Sequence, residues 1–440
     1  MSDGMARRAL AGSGLTDEQE DAAVRLLTTR TAVSVLTAPA GAGKTHTVAA
    51  YAQAWIRLTG RRVIGITTAE NAARQMAEEG LAEAYNSAAF LGRVKGSDEL
   101  RYPVPVHEGD VLVLDEAGMI STADLALIMD LADRAGALVV PTGDPFQLGA
   151  VEAGGMLGSL IEALGAAELS EVLRFTAGWE RDASVRLRAG DKAVIADYDR
   201  RGRIRGADRE ATFSRAAGAW LADHLHGRES VLLAGSNEEA AELARIVQAR
   251  LVQAGIVVQP RAPLADGNQA GTGDLIRARQ NTDIDGVKLA NRDVLRVTGW
   301  QGDHAEVRRK TADGWSAPFL LPRSYLSADA ELQYAGNVHV AQGRTVDTSH
   351  VLVSETISRR SLYVGLTRGR ESNIAHVVTG ETAPEGRSHM SRRHPRRFFP
   401  GRWNGTSRTC PRWTRSGNPR NGQPGPGTCS TCGQPRSARY

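Results

Sequence analysis

Along residues 15–164, short apolar and β-branched runs alternate with stretches whose apolar residues recur at helical spacing, which predicts a parallel sheet covered by helices. The runs lie at residues 32–37, 62–67, 110–114 and 137–141. Each gives way to a polar or glycine-rich loop, and in open α/β sheets ligands bind at the carboxyl ends of such strands. The alternation returns further on. Ser230–Ala234 reads as a strand, and Asn237 is placed to cap a helix in which Leu243, Val247 and Leu251 lie one turn apart. Residues 349–354 read as a strand, 358–370 as a helix and 373–379 as a final strand, which makes a second α/β domain. Residues 266–330 interrupt it with short alternating segments, 293–298 and 305–309 among them, between Gly, Asp and Asn turns; a small inserted β-barrel is expected there. The expected domains are 15–165, then 166–265 together with 331–380, with 266–330 set into the second. Residues 1–14 are expected to be disordered. Past Gly380 Pro, Gly, Ser, Asn and Arg take over, so 381–440 reads as a basic disordered tail, abrupt enough for a shifted reading frame or a truncated gene.

The chain has 440 residues, and a single core rarely grows past roughly 250–300 residues, so at least two cores are expected. Its formal net charge of +4 is unevenly placed: residues 381–440 carry 12 Arg against 2 Glu, leaving 42 basic and 48 acidic residues before them. Overall charge is therefore no argument for nucleic-acid binding, and a DNA track has to be a local groove. Cys410, Cys429 and Cys432, the only cysteines, all lie in the tail, which fits a cytoplasmic protein without disulfides. No apolar run approaches the roughly 20 residues that span a bilayer, and residues 1–14 lack the apolar stretch of a signal peptide, so no membrane partner is expected. Cys429 and Cys432 have the spacing of half a zinc site, but with no fourth ligand structural zinc is not expected; His224 and His226 read as a surface pair.

Candidate chemistry begins at residues 38–45, Ala-Pro-Ala-Gly-Ala-Gly-Lys-Thr, which follow a strand and open a helix, the setting that a phosphate-binding loop requires. Ala40, Gly41, Ala42 and Gly43 of this stretch, with His46 just after it, are the cofactor-binding candidates. Gly41 and Gly43 let backbone N–H groups close around phosphates at the positive end of the helix. Lys44 meets the β and γ phosphates, and the Thr45 hydroxyl binds Mg²⁺. Ala38 stands where the pattern has its first glycine, which is tolerable if its φ is negative. Asp115 and Glu116 follow the buried run Val111–Leu114; Asp115 suits the Mg²⁺ shell, and Glu116 can take the proton of the attacking water. At the next strand end, Thr142-Gly143-Asp144-Pro145-Phe146-Gln147 places the Gln147 amide to sense the γ-phosphate. The cofactors expected are ATP and Mg²⁺.

Taken in chain order, these motifs resemble the helicase region of the large relaxase-helicases of bacterial conjugation, related to the RecD-like branch of superfamily 1, over residues 15–380. The resemblance implies two RecA-like α/β domains and an SH3-like barrel bordering the DNA path. It implies an adenine-reading role for Gln19 in Leu15-Thr16-Asp17-Glu18-Gln19, and contact of Thr67, Thr68 and Asn71 with the DNA backbone. Arg174 in Glu171-Val172-Leu173-Arg174-Phe175 is implied to reach the γ-phosphate. His339, Gln342, Gly343 and Thr345 lie in a motif at the joint of nucleotide and DNA, and Arg368, in Tyr363-Val364-Gly365-Leu366-Thr367-Arg368-Gly369-Arg370, is implied to be an arginine finger. Arg370 is open between capping the helix end and meeting a DNA phosphate. Trp300 and Trp315 read as core residues before base-stacking ones, and residues 85–108 as a short strand-splitting pin. The function implied by the resemblance is that of a 5′ to 3′ DNA translocase or helicase acting on single-stranded DNA, with a relaxase or the conjugation machinery as partner. The nicking domain of such relaxases is not seen, so nicking is not expected. A repair helicase of the RecD type and an inactive remnant binding nucleotide or a partner are the rival readings.

Overall fold

The inner strands of the first domain are short and largely apolar, as buried parallel strands are, while the two edge strands carry Glu83, Asn86 and Glu168. In chain order its elements are α1 (Asp3–Leu10), α2 (Asp17–Thr28), β1 (Leu36–Thr37), α3 (Lys44–Thr59), β2 (Val63–Thr67), α4 (Glu70–Glu78), β3 (Glu83–Asn86) and α5 (Ser87–Leu91). After these come β4 (Val111–Leu114), α6 (Thr122–Ala135), β5 (Leu138–Gly143), α7 (Met156–Leu164) and β6 (Ala167–Glu168). The strands form one parallel sheet in the order β3-β2-β4-β5-β1-β6. All four residues of β4 are fully buried, with separate apolar clusters on the two faces of the sheet. The computed structural model describes residues 1–81, 83–92, 101–149, 156–258, 262–311 and 313–380, with only the backbone at Asn71. The pin expected at 85–108 falls partly on residues 93–100, outside those described; its first part is the end of β3 and α5.

Two expectations for this domain are corrected. Residues 1–14 are not disordered: α1 buries Ala6 and Leu10, one helical turn apart, against α2 and α3, and Arg7 pairs with Glu20 and Asp21 at 2.8 and 2.6 Å. The boundary at 165 also moves, because β6 pairs with β1 and so completes the first sheet.

The second domain starts with α8 (Gly178–Ala189), α9 (Val194–Arg200), β7 (Ile204–Ala207), α10 (Arg209–Leu225), β8 (Ser230–Ala234) and α11 (Asn237–Gln253). Ser236, not Asn237, caps α11, its hydroxyl accepting from the Glu239 N–H at 3.2 Å. An insertion comes next: β9 (Ala262–Pro263), β10 (Gln269–Ala270), β11 (Leu275–Ala278), β12 (Thr282–Ile284), β13 (Val287–Leu289), β14 (Val294–Gln301), β15 (His304–Thr311), β16 (Gly314–Trp315), β17 (Phe319–Pro322), α12 (Arg323–Asp329) and β18 (Ala330–Leu332). The chain then returns through β19 (Gly336–Asn337), β20 (Val346–Val353), α13 (Arg359–Gly365) and β21 (Gly369–Val378). These rejoin the second parallel sheet, ordered β19-β8-β20-β21-β7.

The insertion is an antiparallel domain with the order β16-β15-β14-β11-β18 and β17 beside β15. It is wider than 266–330 because β9 and β18 belong to it, and among the described residues its pairings form an open order rather than a closed barrel. One apolar cluster joins it to α10, α11 and the second sheet. The helix expected over 358–370 ends at Gly365. There the Thr367 and Arg368 N–H groups turn back three residues to the Val364 and Gly365 carbonyls at 3.3 and 3.4 Å, and Arg368 Nε and Ser349 Oγ bond to the same two carbonyls at 2.9 and 2.8 Å.

Candidate active site

The carboxyl ends of β1, β2, β4 and β5 face the second domain across a cavity of about 470 Å³. The loop after β1 needs its glycines. Gly41 (φ +85°) and Gly43 (φ +79°) are left-handed, and a Cβ would stand 2.5 Å from Arg174 Cβ at the first and 2.2 Å from Gln19 Nε2 at the second. Ala38 is not among the positive-φ residues, so an alanine is free of strain there. Lys44 opens α3 and its Nζ lies 3.0 Å from Asp115 Oδ1 and 3.1 Å from Glu116 Oε1. Burial alone would lower the Lys44 ammonium, but the two carboxylates overcome it and hold it above its ordinary range; Asp115, buried too, is held below its own by Lys44. The Thr142 hydroxyl donates to Asp115 at 2.9 Å. Glu116 has φ +49°, an uncommon conformation for a side-chain-bearing residue, at the start of a short helical turn.

Two arginines close the other side. Arg368 is 2% exposed, and its guanidinium donates to the Val364 carbonyl, the Arg344 carbonyl and Thr367 Oγ1 at 2.9, 3.4 and 3.1 Å. Arg174 donates to the Thr367 carbonyl. Burial, then the Arg368 charge, pushes Arg174 down to about 9, and burial lowers Arg368 as well. Among the described residues neither arginine has a carboxylate at ion-pair distance. Two cations, one fully and one partly buried, held by carbonyls and one threonine hydroxyl beside a phosphate-loop lysine, form a site electrostatically prepared for an anion. The buried Gln147 Oε1 has no partner among the described residues, while its Nε2 donates to Asp144 at 3.3 Å.

Most residues singled out in the sequence meet here: Ala40, Gly41, Gly43, Lys44, Thr45, His46, Thr67, Thr68, Asp115, Glu116, Gln147, Arg174, His339, Gln342, Gly343, Thr345 and Arg368 line the cavity. Gln342 Nε2 donates to Glu116 Oε2 at 3.3 Å, so this residue touches the candidate base itself. Gln19 is corrected. Its amide does not line the cavity; Oε1 accepts from the Thr16 N–H at 3.1 Å in a capping box, and Nε2 donates to the Ala42 carbonyl at 3.0 Å, so it shapes the loop. The Ala42 side chain is likewise turned into the core beneath the loop. Asn71 lies in α4, and its side chain is outside the described structure. Arg370 lies beyond the end of α13 and pairs with Asp347 at 3.4 Å, so it is not a helix cap.

Other residues were given no role by the sequence. Arg292, from the insertion, lines the cavity with a left-handed backbone (φ +73°). Asp144, Tyr363 and Arg188 cluster at its back. Trp300 packs against the core shared with the insertion, and Trp315 lies under the Arg296 guanidinium at 4.4 Å, beside a second cavity of about 480 Å³. His224 stacks on Trp220 at 4.9 Å, and the three cysteines lie outside the described residues. No helix among the described residues is long and apolar enough to cross a membrane.

A family model described as an AAA domain matches residues 14–209. The chain is 32% identical over 372 residues to the probable conjugal transfer protein TraA of Sinorhizobium fredii, covering 82% of this chain and 32% of that protein. It is 28% identical over 303 residues to the RecBCD enzyme subunit RecD of Mycobacterium tuberculosis, covering 62% of this chain and 50% of RecD. The chain thus spans about a third of its TraA relative and half of RecD. The fold matches the crystal structure of Pif1 helicase from Bacteroides in complex with ADP-AlF3 and single-stranded DNA, with a TM-score of 0.51 and 16% identity over 83% of this chain and 93% of that one. This chain carries a RecD-like helicase region, homologous to the conjugal transfer protein TraA and to RecD.

Proposed function

We propose that the chain is an ATP-driven DNA translocase and helicase that moves 5′ to 3′ along single-stranded DNA by hydrolysing Mg-ATP in the interdomain cleft. The observation that carries this reading is the pair Arg174 and Arg368, lining the cavity with Lys44 and without a carboxylate at ion-pair distance among the described residues. In this reading the loop amides of residues 41–45 and Lys44 bind the phosphates, and a phosphate arriving at Lys44 replaces its carboxylate partners. That exchange leaves Asp115, with the Thr45 hydroxyl, to hold Mg²⁺, which neutralises phosphate charge when bound. It leaves Glu116 to take a proton from water, with the Gln147 amide beside it. Arg174 and Arg368 stabilise charge on the transferred phosphoryl oxygens, a contribution of about 10³–10⁵ in rate for such arginines. Thr67, Thr68, Asn71, His339, Gln342 and Thr345 carry the DNA, and the Gln342–Glu116 contact joins that set to the base. Support for single-stranded DNA comes from the Bacteroides Pif1 complex, which has the same fold.

The setting we propose is conjugative transfer in the cytoplasm, alongside a relaxase or the conjugation machinery, on the strength of the TraA similarity. The RecD similarity supports a second reading, a repair helicase with the same motor. Steady-state ATPase with and without single-stranded DNA tests the motor. Stimulation in the native chain, lost in Lys44→Ala, is the expected result; nucleotide binding without turnover would point to an inactive remnant, and turnover indifferent to DNA would refute the motor.

A further inference from the structure

One buried cluster at the cleft has no part in the chemistry above. Asp144, whose side chain is 1% exposed, accepts from Arg188 Nε at 2.9 Å, Tyr363 Oη at 3.0 Å, the Phe146 N–H at 3.0 Å and Gln147 Nε2 at 3.3 Å. Arg188 also lies over the Phe146 ring, 4.5 Å from its centroid. The Tyr363 hydroxyl, besides donating to Asp144, accepts the Ala40 N–H of the phosphate loop at 3.1 Å. Burial raises the phenol well above its ordinary range, so it remains a donor.

The cluster spans both domains. Asp144 and Ala40 belong to the first; Arg188 on α8 and Tyr363 on α13 belong to the second. Ala40 and Leu148 of the first domain lie in the apolar cluster built around Tyr363, Leu362 and the second sheet. From Tyr363 the path continues to the arginine: Thr367 Oγ1 donates to the Tyr363 carbonyl at 2.9 Å, and Arg368 Nη2 donates to Thr367 Oγ1 at 3.1 Å. Gln147, the phosphate loop and Arg368 are therefore joined through Asp144 and Tyr363 by direct hydrogen bonds. Such a buried polar network, in which the Asp144 carboxylate and the Tyr363 hydroxyl are partnered on both sides of the cleft, tends to fix one arrangement of the parts it joins, which is what a two-state cleft requires.

We propose that Tyr363 and Arg188 are positioning residues which, through Asp144, couple the state of the phosphate shell to closure of the second domain, so that DNA bound across both domains accelerates turnover. This rests on the motor reading above. Neither residue touches substrate; each acts by holding Gln147, Ala40 and Arg368 in one register across the cleft.

The test compares the full native chain with Tyr363→Phe and Arg188→Gln in ATPase assays with and without single-stranded DNA, with folding checked by circular dichroism. In both variants DNA-free turnover and the KM for ATP are expected within about twofold of native, while the ratio of stimulated to basal kcat drops about tenfold, the size of a typical coupling between sites. The double variant should lose little more than either single one, because both cut the same path. Should Tyr363→Phe fail to fold, Arg188→Gln reads the other arm. A native stimulation ratio in the folded variants, or equal loss of basal and stimulated turnover, overturns the coupling role. A native chain without any DNA stimulation sinks the motor reading and the coupling with it, whereas stimulated native enzyme with unaffected variants sinks the coupling alone.

Discussion

Gly41→Ala is the sharpest local test of the loop. At φ +85° an alanine carries a left-handed penalty of about 1–2 kcal/mol. Its Cβ would also stand 2.5 Å from Arg174 Cβ, a rigid neighbour that no rotamer change can move away. Either the loop or the segment 171–175 must shift, and that segment is tied to the loop by the hydrogen bond from the Leu173 N–H to the Gly41 carbonyl at 2.9 Å. Overpacking of this kind costs roughly 1–3 kcal/mol, so the variant should lose about 2–5 kcal/mol in all, or relieve the strain by displacing Arg174. Urea denaturation measures the first outcome and single-turnover ATPase the second, where displacement of Arg174 should cost about 10²-fold or more in rate. Arg174→Gly removes the clash but not the φ penalty, so adding it to Gly41→Ala should return only part of the lost stability. A Gly41→Ala chain with native stability and native turnover would refute the loop geometry.

Further expectations concern burial and charge elsewhere. Glu180, fully buried and accepting from Asn373 Nδ2 at 3.0 Å, is pushed by burial from 4.5 up to about 7. The folded chain then binds this proton more tightly than the unfolded chain, so stability falls as pH rises between those values, by at most ~3 kcal/mol. Glu180→Gln should flatten that slope in urea melts from about pH 4.5 to 7; an unchanged slope would place its source elsewhere. Arg368→Lys should lose about 10³-fold in turnover while still binding a fluorescent ATP analogue, because a lysine cannot reproduce the three hydrogen bonds that set the guanidinium; near-native turnover would remove Arg368 from the shell. Leu10→Ala should cost about 2–4 kcal/mol by denaturant midpoint, and an unchanged midpoint would return residues 1–14 to the disordered state expected from sequence.

The motor's strands were legible because a buried parallel strand needs little more than a short apolar run followed by a polar loop, as Val111–Leu114 and Asp115-Glu116 show. Chemistry at strand ends is equally local, and Lys44, Asp115, Glu116 and Gln147 come together where the pattern implies. The capping box from Thr16 to Gln19 went unread in the sequence, where Gln19 was assigned by resemblance, and it explains why the Gln19 amide is turned to the loop. Helix ends were harder: at the end of α13 the Val364 and Gly365 carbonyls accept from Arg368 and Ser349 as well as from the turning backbone, and Ser349 comes from a neighbouring strand. Contacts such as Arg188 to Asp144, 44 residues apart, or Tyr363 to Asp144, 219 apart, leave no local trace. Among 49 arginines nothing marks Arg188 until the fold brings it to a carboxylate.

ATP turnover by the native chain and by Glu116→Gln, each titrated with single-stranded DNA, tests the motor assignment most directly. DNA-stimulated hydrolysis is expected in the native chain and at least about 10²-fold less in Glu116→Gln, with nucleotide binding retained because Lys44 and the loop are untouched. Near-native turnover in Glu116→Gln would contradict the assignment of this cleft as the place where ATP is hydrolysed.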